Sequence, residues 1–324
     1  MHKRVWAGVD IGGTKTAVVL SCGPPETLCR EEFPTRPDQG PSPAIARIVE
    51  LLRGMLAKHG VTGGELEAIG ISCGGPLDSD AGVIQSPPNL ASWVDVPITA
   101  ILAKEFGALV RLENDANAGA VAEHRYGAGR GTVHMIFLTM GTGLGAGMIV
   151  NGRLYRGATG GAGEIGHVRL TRTGPIGFNK AGSVEGWASG AGIAQIADRL
   201  VSRAVAQGCR TVLSVPPEPA SPITARDVGL AAAQGDRVAL RIIRVAGEKL
   251  GRGLAILIDV VNPERIVIGG LAMRLGELIL APARRAARQE ALTASADACQ
   301  IVPAELDESI GDVAALCVAT GIGA

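Results

Sequence analysis

The sequence predicts an α/β protein of two similar lobes with a cleft between them, and three observations predict it. A strand, a glycine turn and a second strand open at residues 5–20, and the same pattern returns at 133–155. Each copy is followed by mixed strands and helices, as expected of two similar α/β units. The 324 residues also exceed the ~250 at which a single core usually stops growing.

Composition supports a folded chain and narrows its partners. Hydrophobic residues make up 47 % and charged residues 19 %, which excludes a disordered polymer. The 31 Lys+Arg balance the 31 Asp+Glu, so no broad basic surface is expected for nucleic acid or anionic lipid. With aromatics at 3 %, the core must be built from Ala, Val, Ile and Leu. The six cysteines (Cys22, Cys29, Cys73, Cys209, Cys299 and Cys317) are scattered without a C-x-x-C pair, which suits free thiols in a reducing cytosol. Met1 to Trp6 runs straight into a strand with no signal h-region. No uncharged apolar stretch reaches the ~18 residues of a membrane span, and Asp259 interrupts the best candidate, Leu254 to Val261. A cytoplasmic protein without a membrane partner is expected.

Val5 to Leu20 reads as two strands around Gly12-Gly13-Thr14-Lys15, and Cys22 to Pro43 as a Pro- and Gly-rich segment that ends in an exposed loop. Ile45, Ile48, Val49, Leu52, Met55 and Leu56 recur at helical spacing, which predicts a helix over 44–59. Strands follow at 68–73 and 110–112, then a helix over 116–126 stopped by Gly127 and Gly129. In the second half, 133–140 is a strand, 141–147 a glycine turn and 148–155 a returning strand. Helices are expected at 190–206, 225–233, 237–261, 276–289 and 311–319, and strands at 266–268 and 301–304. The first lobe is taken as residues 1–116, completed by the C-terminal helix 311–324, and the second as 117–310.

The polar residues at the turns suggest chemistry. Asp10-Ile-Gly-Gly-Thr-Lys15 sets a carboxylate at a strand end beside a glycine turn, a hydroxyl and an ammonium. Such a turn lets backbone N–H groups approach phosphate oxygens, with Asp10 placed to hold a hydrated Mg²⁺. An ordinary β-hairpin explains the glycines equally well. The G-x-G-x-G of residues 141–147 precedes a strand rather than a helix, so a dinucleotide site fails and a second phosphate loop fits better. Asp115, beside Asn114 between a strand and a helix, could cap that helix or take a proton from an attacking hydroxyl. Glu164, His167 and Glu185 lie among glycines, and carboxylates with an imidazole suit a polyol. His2, His59, His124 and His134 read as surface or packing residues.

Asp10 to Lys15, Glu113 to Asn117, Gly141 to Gly147, Gly163 to His167, Glu185 to Gly190 and Ile268 to Gly270 together resemble the ordered motifs of the ROK group of sugar kinases and repressors. The resemblance covers nearly the whole chain. It implies two ribonuclease-H-like lobes, ATP and Mg²⁺ in the cleft, and phosphorylation of a hexose, first of all glucose at O6. Asp115 matches the catalytic base, and Asn114, Glu164, His167 and Glu185 match the sugar ligands. Gly12, Gly13, Thr14, Lys15, Thr142, Gly143 and Gly145 match the phosphate loops, while Gly269 and Gly270 fall where the family approaches the adenosine.

Two departures are visible. Many members carry a C-x-C-G-x-x-G-C zinc loop after the histidine, whereas Thr173 to Ser183 holds no cysteine, so no zinc is expected. The repressors' N-terminal helix-turn-helix has no counterpart ahead of the first strand, so no nucleic acid is expected. The expected partners are a hexose and a second copy of the chain, as a homodimer. Alternatives are an N-acylhexosamine kinase or fructokinase of the same family, a non-catalytic sugar-sensing regulator, and, last, a glycoside hydrolase using Glu164 and Glu185.

Overall fold

The structure, a computed structural model, describes residues 4–62, 64–214 and 222–321. Among these, 4–131, 147–162 and 305–321 form one compact unit, and 132–146 with 163–304 form the other. Sequence reasoning placed the first boundary after residue 116; the first division instead falls between Gly131 and Thr132.

In the first unit, β1 (Val5–Ile11) pairs antiparallel with β2 (Lys15–Ser21), which pairs with β3 (Cys29–Pro34). On its other side β1 runs parallel to β4 (Leu66–Cys73), which runs parallel to β7 (Leu109–Asn114). The sheet order is therefore β3-β2-β1-β4-β7. Helix α1 (Pro41–Lys58) buries Ile48, Leu52 and Met55 in a core shared with Val9, Val18, Ile69 and Trp93. A short hairpin of β5 (Leu77–Asp78) and β6 (Val83–Ile84) precedes α2 (Ile98–Phe106). Helix α3 (Asp115–Tyr126) follows β7 directly, and α11 (Ile310–Thr320) closes the unit.

Two glycines explain how closely α11 lies on the sheet. A Cβ on Gly70 would sit 2.1 Å from the Ala315 carbonyl oxygen, and one on Gly8 would sit 3.0 Å from the Ala315 Cβ. Any side chain there would push the helix away. Glu123 of α3, fully buried, accepts hydrogen bonds from the N–H groups of Ala128 (2.7 Å), Glu305 and Leu306 (2.9 Å). A buried carboxylate is tolerated because those donors replace its water.

The second sheet has the order β10-β9-β8-β13-β14, from β8 (Met135–Met140), β9 (Leu144–Val150), β10 (Arg153–Leu154), β13 (Arg265–Gly270) and β14 (Gln300–Pro303). Strand β13 runs parallel to both β8 and β14. This order repeats that of the first sheet strand for strand, so the recurrence in the sequence is a recurrence of topology. A hairpin of β11 (Ile176–Gly177) and β12 (Lys180–Ala181) leads to α4 (Val184–Ala188) and α5 (Gly190–Ala206). After α6 (Ala225–Ala233) comes α7 (Arg237–Val261), capped by Asp236 at its start and by left-handed Asn262 at its end. Helices α8 (Leu271–Leu275), α9 (Glu277–Glu290) and α10 (Thr293–Ala298) complete the unit. Gly251 of α7 faces the Ala283 carbonyl of α9, where a Cβ would come within 2.3 Å.

The glycine turn is shorter than the sequence suggests. β9 begins at Leu144, so only Gly141 to Gly143 turns, and the strand expected over 148–155 is the end of β9 plus β10. Left-handed Asn151 and Gly152 make the turn between them, as two-residue hairpins require. Among the described residues no helix is long and apolar enough to cross a membrane.

Candidate active site

In the first unit the strand ends deliver the polar groups. The parallel register sets Asp10 beside Ser72, and Ser72 beside Glu113, with Cys73 beside Asn114. The Ser72 hydroxyl donates to the Asp10 carboxylate. Burial above all, and then the negative charges of Asp115 and Asp312, push the Asp10 carboxyl up to about 6, while Ser72 and Lys15 pull it down. Its Oδ2 would lie 2.2 Å from a Cβ on Gly311, in the first turn of α11.

The turn between β1 and β2 is closed by the Gly12 N–H donating to the Lys15 carbonyl (3.0 Å) and by Thr35 Oγ1 donating to the Gly12 carbonyl (2.6 Å). Gly13 lies against Asn89, where a Cβ would meet the Asn89 Cβ at 2.6 Å. Thr14 is exposed. Lys15 Nζ donates to Glu32 (2.9 Å), which also takes Arg30 (2.6 Å), and Arg30 in turn pairs with Asp312 (2.8 Å). Those two cations hold the Glu32 carboxyl below its ordinary range.

At the β7–α3 junction the capping question is answered. Asn114 is the cap: its Oδ1 accepts from the N–H of Ala116 (3.0 Å) and Asn117 (3.4 Å). Asp115 is exposed, and its Oδ1 accepts from the adjacent Ala116 N–H (2.8 Å). Beneath them Glu113, buried, accepts from Asn117 Nδ2 (3.0 Å) and from Arg156 (2.8 and 2.6 Å). Sequence reasoning did not foresee this ion pair, because 43 positions separate its partners.

The second unit brings three other predicted residues near the turn between β8 and β9. Glu185 Oε2 accepts from the Leu144 N–H (3.0 Å) and lies where a Cβ on Gly143 would come within 2.8 Å. His167 Nε2 stands 3.5 Å from Glu164 Oε2. The imidazole meets the Phe178 ring edge-on at 4.9 Å between centroids.

A cavity of about 530 Å³ opens in the same unit, lined by Gly141, Thr142, Gly190, Thr224, Gly270 and Arg274 among others. The first residues of α5, α6 and α8 border it. Its volume suits a nucleoside-sized ligand. Thr142 and Gly270 reach it; Gly143, Gly145 and Gly269 do not. Gly143 packs on Glu185, Gly145 sits within β9, and Gly269 is buried against Phe137. Gly270 is left-handed (φ 68°), and a Cβ there would strike the Met140 carbonyl at 2.3 Å.

Known proteins show the same organisation. The family model described as ROK family matches residues 6–321. A glucokinase of Halalkalibacterium halodurans is 34 % identical, over 96 % of this chain and 93 % of its own. A xylose repressor of Caldicellulosiruptor bescii is 30 % identical, over 89 % of this chain and 71 % of its own. Among solved structures, a ROK family glucokinase of Streptomyces griseus in complex with glucose and AMPPNP superposes with a TM-score of 0.78 at 30 % identity, covering 98 % of this chain and 99 % of its own. With matching order of motifs, matching topology and a profile spanning nearly every residue, the chain belongs to the ROK family, with its actin–hexokinase type of fold.

Proposed function

We propose that this protein is an ATP-dependent hexose kinase that phosphorylates glucose at O6, with Asp115 as general base. The observation that carries the reading is the division of labour at the β7–α3 junction. Asn114 is the N-cap, and the Asp115 carboxylate at the first position of the helix is exposed to solvent, where a sugar hydroxyl can reach it. The similarity to glucokinases, one of them solved with glucose and AMPPNP, supports the same substrates.

Asp115 accepts the proton of the sugar hydroxyl while that oxygen bonds to the γ-phosphorus of ATP. The bond to the bridging oxygen breaks and ADP leaves. Asn114 Nδ2, Glu164, His167 and Glu185 offer donors and acceptors for the other hydroxyls. The turns at Gly12 to Lys15 and at Gly141 to Gly143, each closed by the N–H of its first glycine, take the phosphates, and the cavity beside Gly270 takes the adenosine. Mg²⁺ would supply charge neutralisation on the phosphates. The donors fit it: Asp10 is an oxygen ligand, and the negative charges of Asp115 and Asp312 that act on it would favour a hard cation. Asp10 would hold it through water.

The reading requires no zinc, since no cysteine lies between His167 and Glu185. Metal analysis of protein purified without chelator is expected to find no stoichiometric zinc, and one zinc per chain would refute this. The deciding experiment is ADP release measured across glucose, fructose, N-acetylglucosamine and N-acetylmannosamine. Highest kcat/KM with glucose is expected. Preference for an N-acylhexosamine would move the substrate, and sugar binding without ATP turnover would make the protein a regulator like its repressor relatives.

A further inference from the structure

We infer that Phe178 is a positioning residue that sets the His167 imidazole for sugar binding, an inference that rests on the sugar-kinase reading above. Phe178 occupies the tip of the β11–β12 hairpin with φ 41°, followed by Asn179 with φ 61°. Asn is at home in this left-handed region, but an aromatic residue there is a conformational outlier. Burial does not compensate, because Phe178 is 57 % exposed. What its ring does touch is His167, edge-on at 4.9 Å.

The rest of the hairpin serves the same end. Gln195 of α5 fastens its base, donating to the Ile176 carbonyl and accepting from the Ile176 N–H, both at 2.8 Å. Lys180 Nζ donates to the His167 carbonyl (2.8 Å), so one hairpin holds both the backbone and the ring of this residue. Gly177 lies so close to Glu185 that a Cβ would come within 2.9 Å of its Oε1. The hairpin therefore braces His167 on one side and Glu185 on the other. An edge-on aromatic contact of this kind restricts the imidazole to the ring plane that leaves Nε2 toward Glu164. Fixing that plane before sugar arrives lowers the ordering cost of binding.

Phe178→Asn tests this, because Asn suits the left-handed backbone and the hairpin should fold at least as stably without the ring. Glucose binding by calorimetry is expected to weaken, and KM for glucose to rise, by about 3- to 10-fold, the usual worth of an aromatic pair. kcat and KM for ATP should stay unchanged, and Phe178→Tyr should restore glucose affinity. In a His167→Ala background, Phe178→Asn should add nothing, because the ring through which it acts is gone. Unchanged glucose affinity in Phe178→Asn, or additive losses in the double variant, would overturn the inference while leaving the kinase reading intact. Wild-type protein that turns over no hexose would instead sink that reading and this inference with it.

Discussion

The two glycine turns hold the same place in two sheets of the same order, yet they are built from different chemistry. Aligned on their first glycine, Asp10-Ile-Gly-Gly-Thr-Lys15 faces Thr139-Met-Gly-Thr-Gly-Leu144. The first carries a carboxylate and an ammonium; the second carries neither. Charge around the first turn continues outward through Glu32, Arg30 and Asp312. The second turn is instead tied by its backbone to a helix start, the Gly190 N–H donating to the Gly141 carbonyl (2.8 Å). One topology thus yields an ionic turn suited to a metal and a reacting phosphate, and a neutral turn beside a cavity bordered by helix N-termini. Substitutions should separate the two.

The largest effect is expected at the end of the first sheet. Asp115→Asn should lower kcat at least about 10²-fold, as for a lost general base, while KM for glucose changes far less because an amide keeps much of the hydrogen bonding. Steady-state ADP release on the folded variant measures both. Near-normal turnover would reduce Asp115 to a bystander of the cap that Asn114 already provides.

Asp10→Asn should come next, and it should move activity and stability in opposite directions. The folded-state pKa of about 6 lies above the ordinary 3.8, so the folded protein holds this proton more tightly than the unfolded chain. Stability contributed by Asp10 therefore falls as pH rises from 3.8 to about 6 and stays lower above that window. Removing the charge should raise Tm at pH 7.5 without Mg²⁺, whereas the Mg²⁺ concentration for half-maximal rate should rise about 10- to 100-fold. Added Mg²⁺ should raise Tm of the wild type and not of the variant. Thermal melts with and without the ion, beside a Mg²⁺ titration of the rate, check this.

What the sequence revealed follows the same division. Long amphipathic segments were legible: α7 was expected at 237–261 and occupies Arg237–Val261, because its apolar residues repeat at helical spacing over seven turns' length. Motif residues at strand ends were legible too, since glycine and carboxylate mark them locally. Strand β3 escaped because its CREEFP segment is an exposed, charged edge without alternation. Helix α2 escaped because it is nine residues long and starts after Pro97 with no side-chain cap. The turn was overdrawn through 147 because Gly145 and Gly147 look like loop residues. Gly147 is a strand residue kept bare by α3, where a Cβ would come 2.4 Å from the Ala116 carbonyl. The contacts around the candidate site, Glu113 with Arg156 and His167 with Phe178, join distant or unpatterned residues and leave no local trace.

Gly143→Ala should have a middling effect confined to sugar. A methyl group there would meet Glu185 Oε2 at 2.8 Å, and a carboxylate at the end of a flexible side chain can move away. The fold should survive, while KM for glucose should rise roughly tenfold as Glu185 is displaced. A change in KM for ATP with glucose affinity untouched would reassign Gly143 to the phosphates alone.

The smallest effect is expected from Gly141→Ala, and it bears most directly on how the turns differ. In the first turn the bare face of Gly13 is used by the protein, since a Cβ would meet the Asn89 backbone oxygen at 2.8 Å. Gly13→Ala should therefore destabilise the first unit by about 1–3 kcal/mol. At Gly141 a Cβ would find no protein atom within 4 Å, and the backbone has no left-handed φ to protect. Nothing in the fold demands glycine there. If the bare face instead admits a phosphate or nucleoside into the neighbouring cavity, Gly141→Ala should leave Tm unchanged and raise KM for ATP by roughly 3- to 10-fold, equivalent to about 1 kcal/mol. KM for glucose should not follow, because Glu185 is reached through Gly143. A lowered Tm would mean that Gly141 serves folding as Gly13 does, and unchanged KM for ATP would mean that the neutral turn does not meet the nucleotide at this residue.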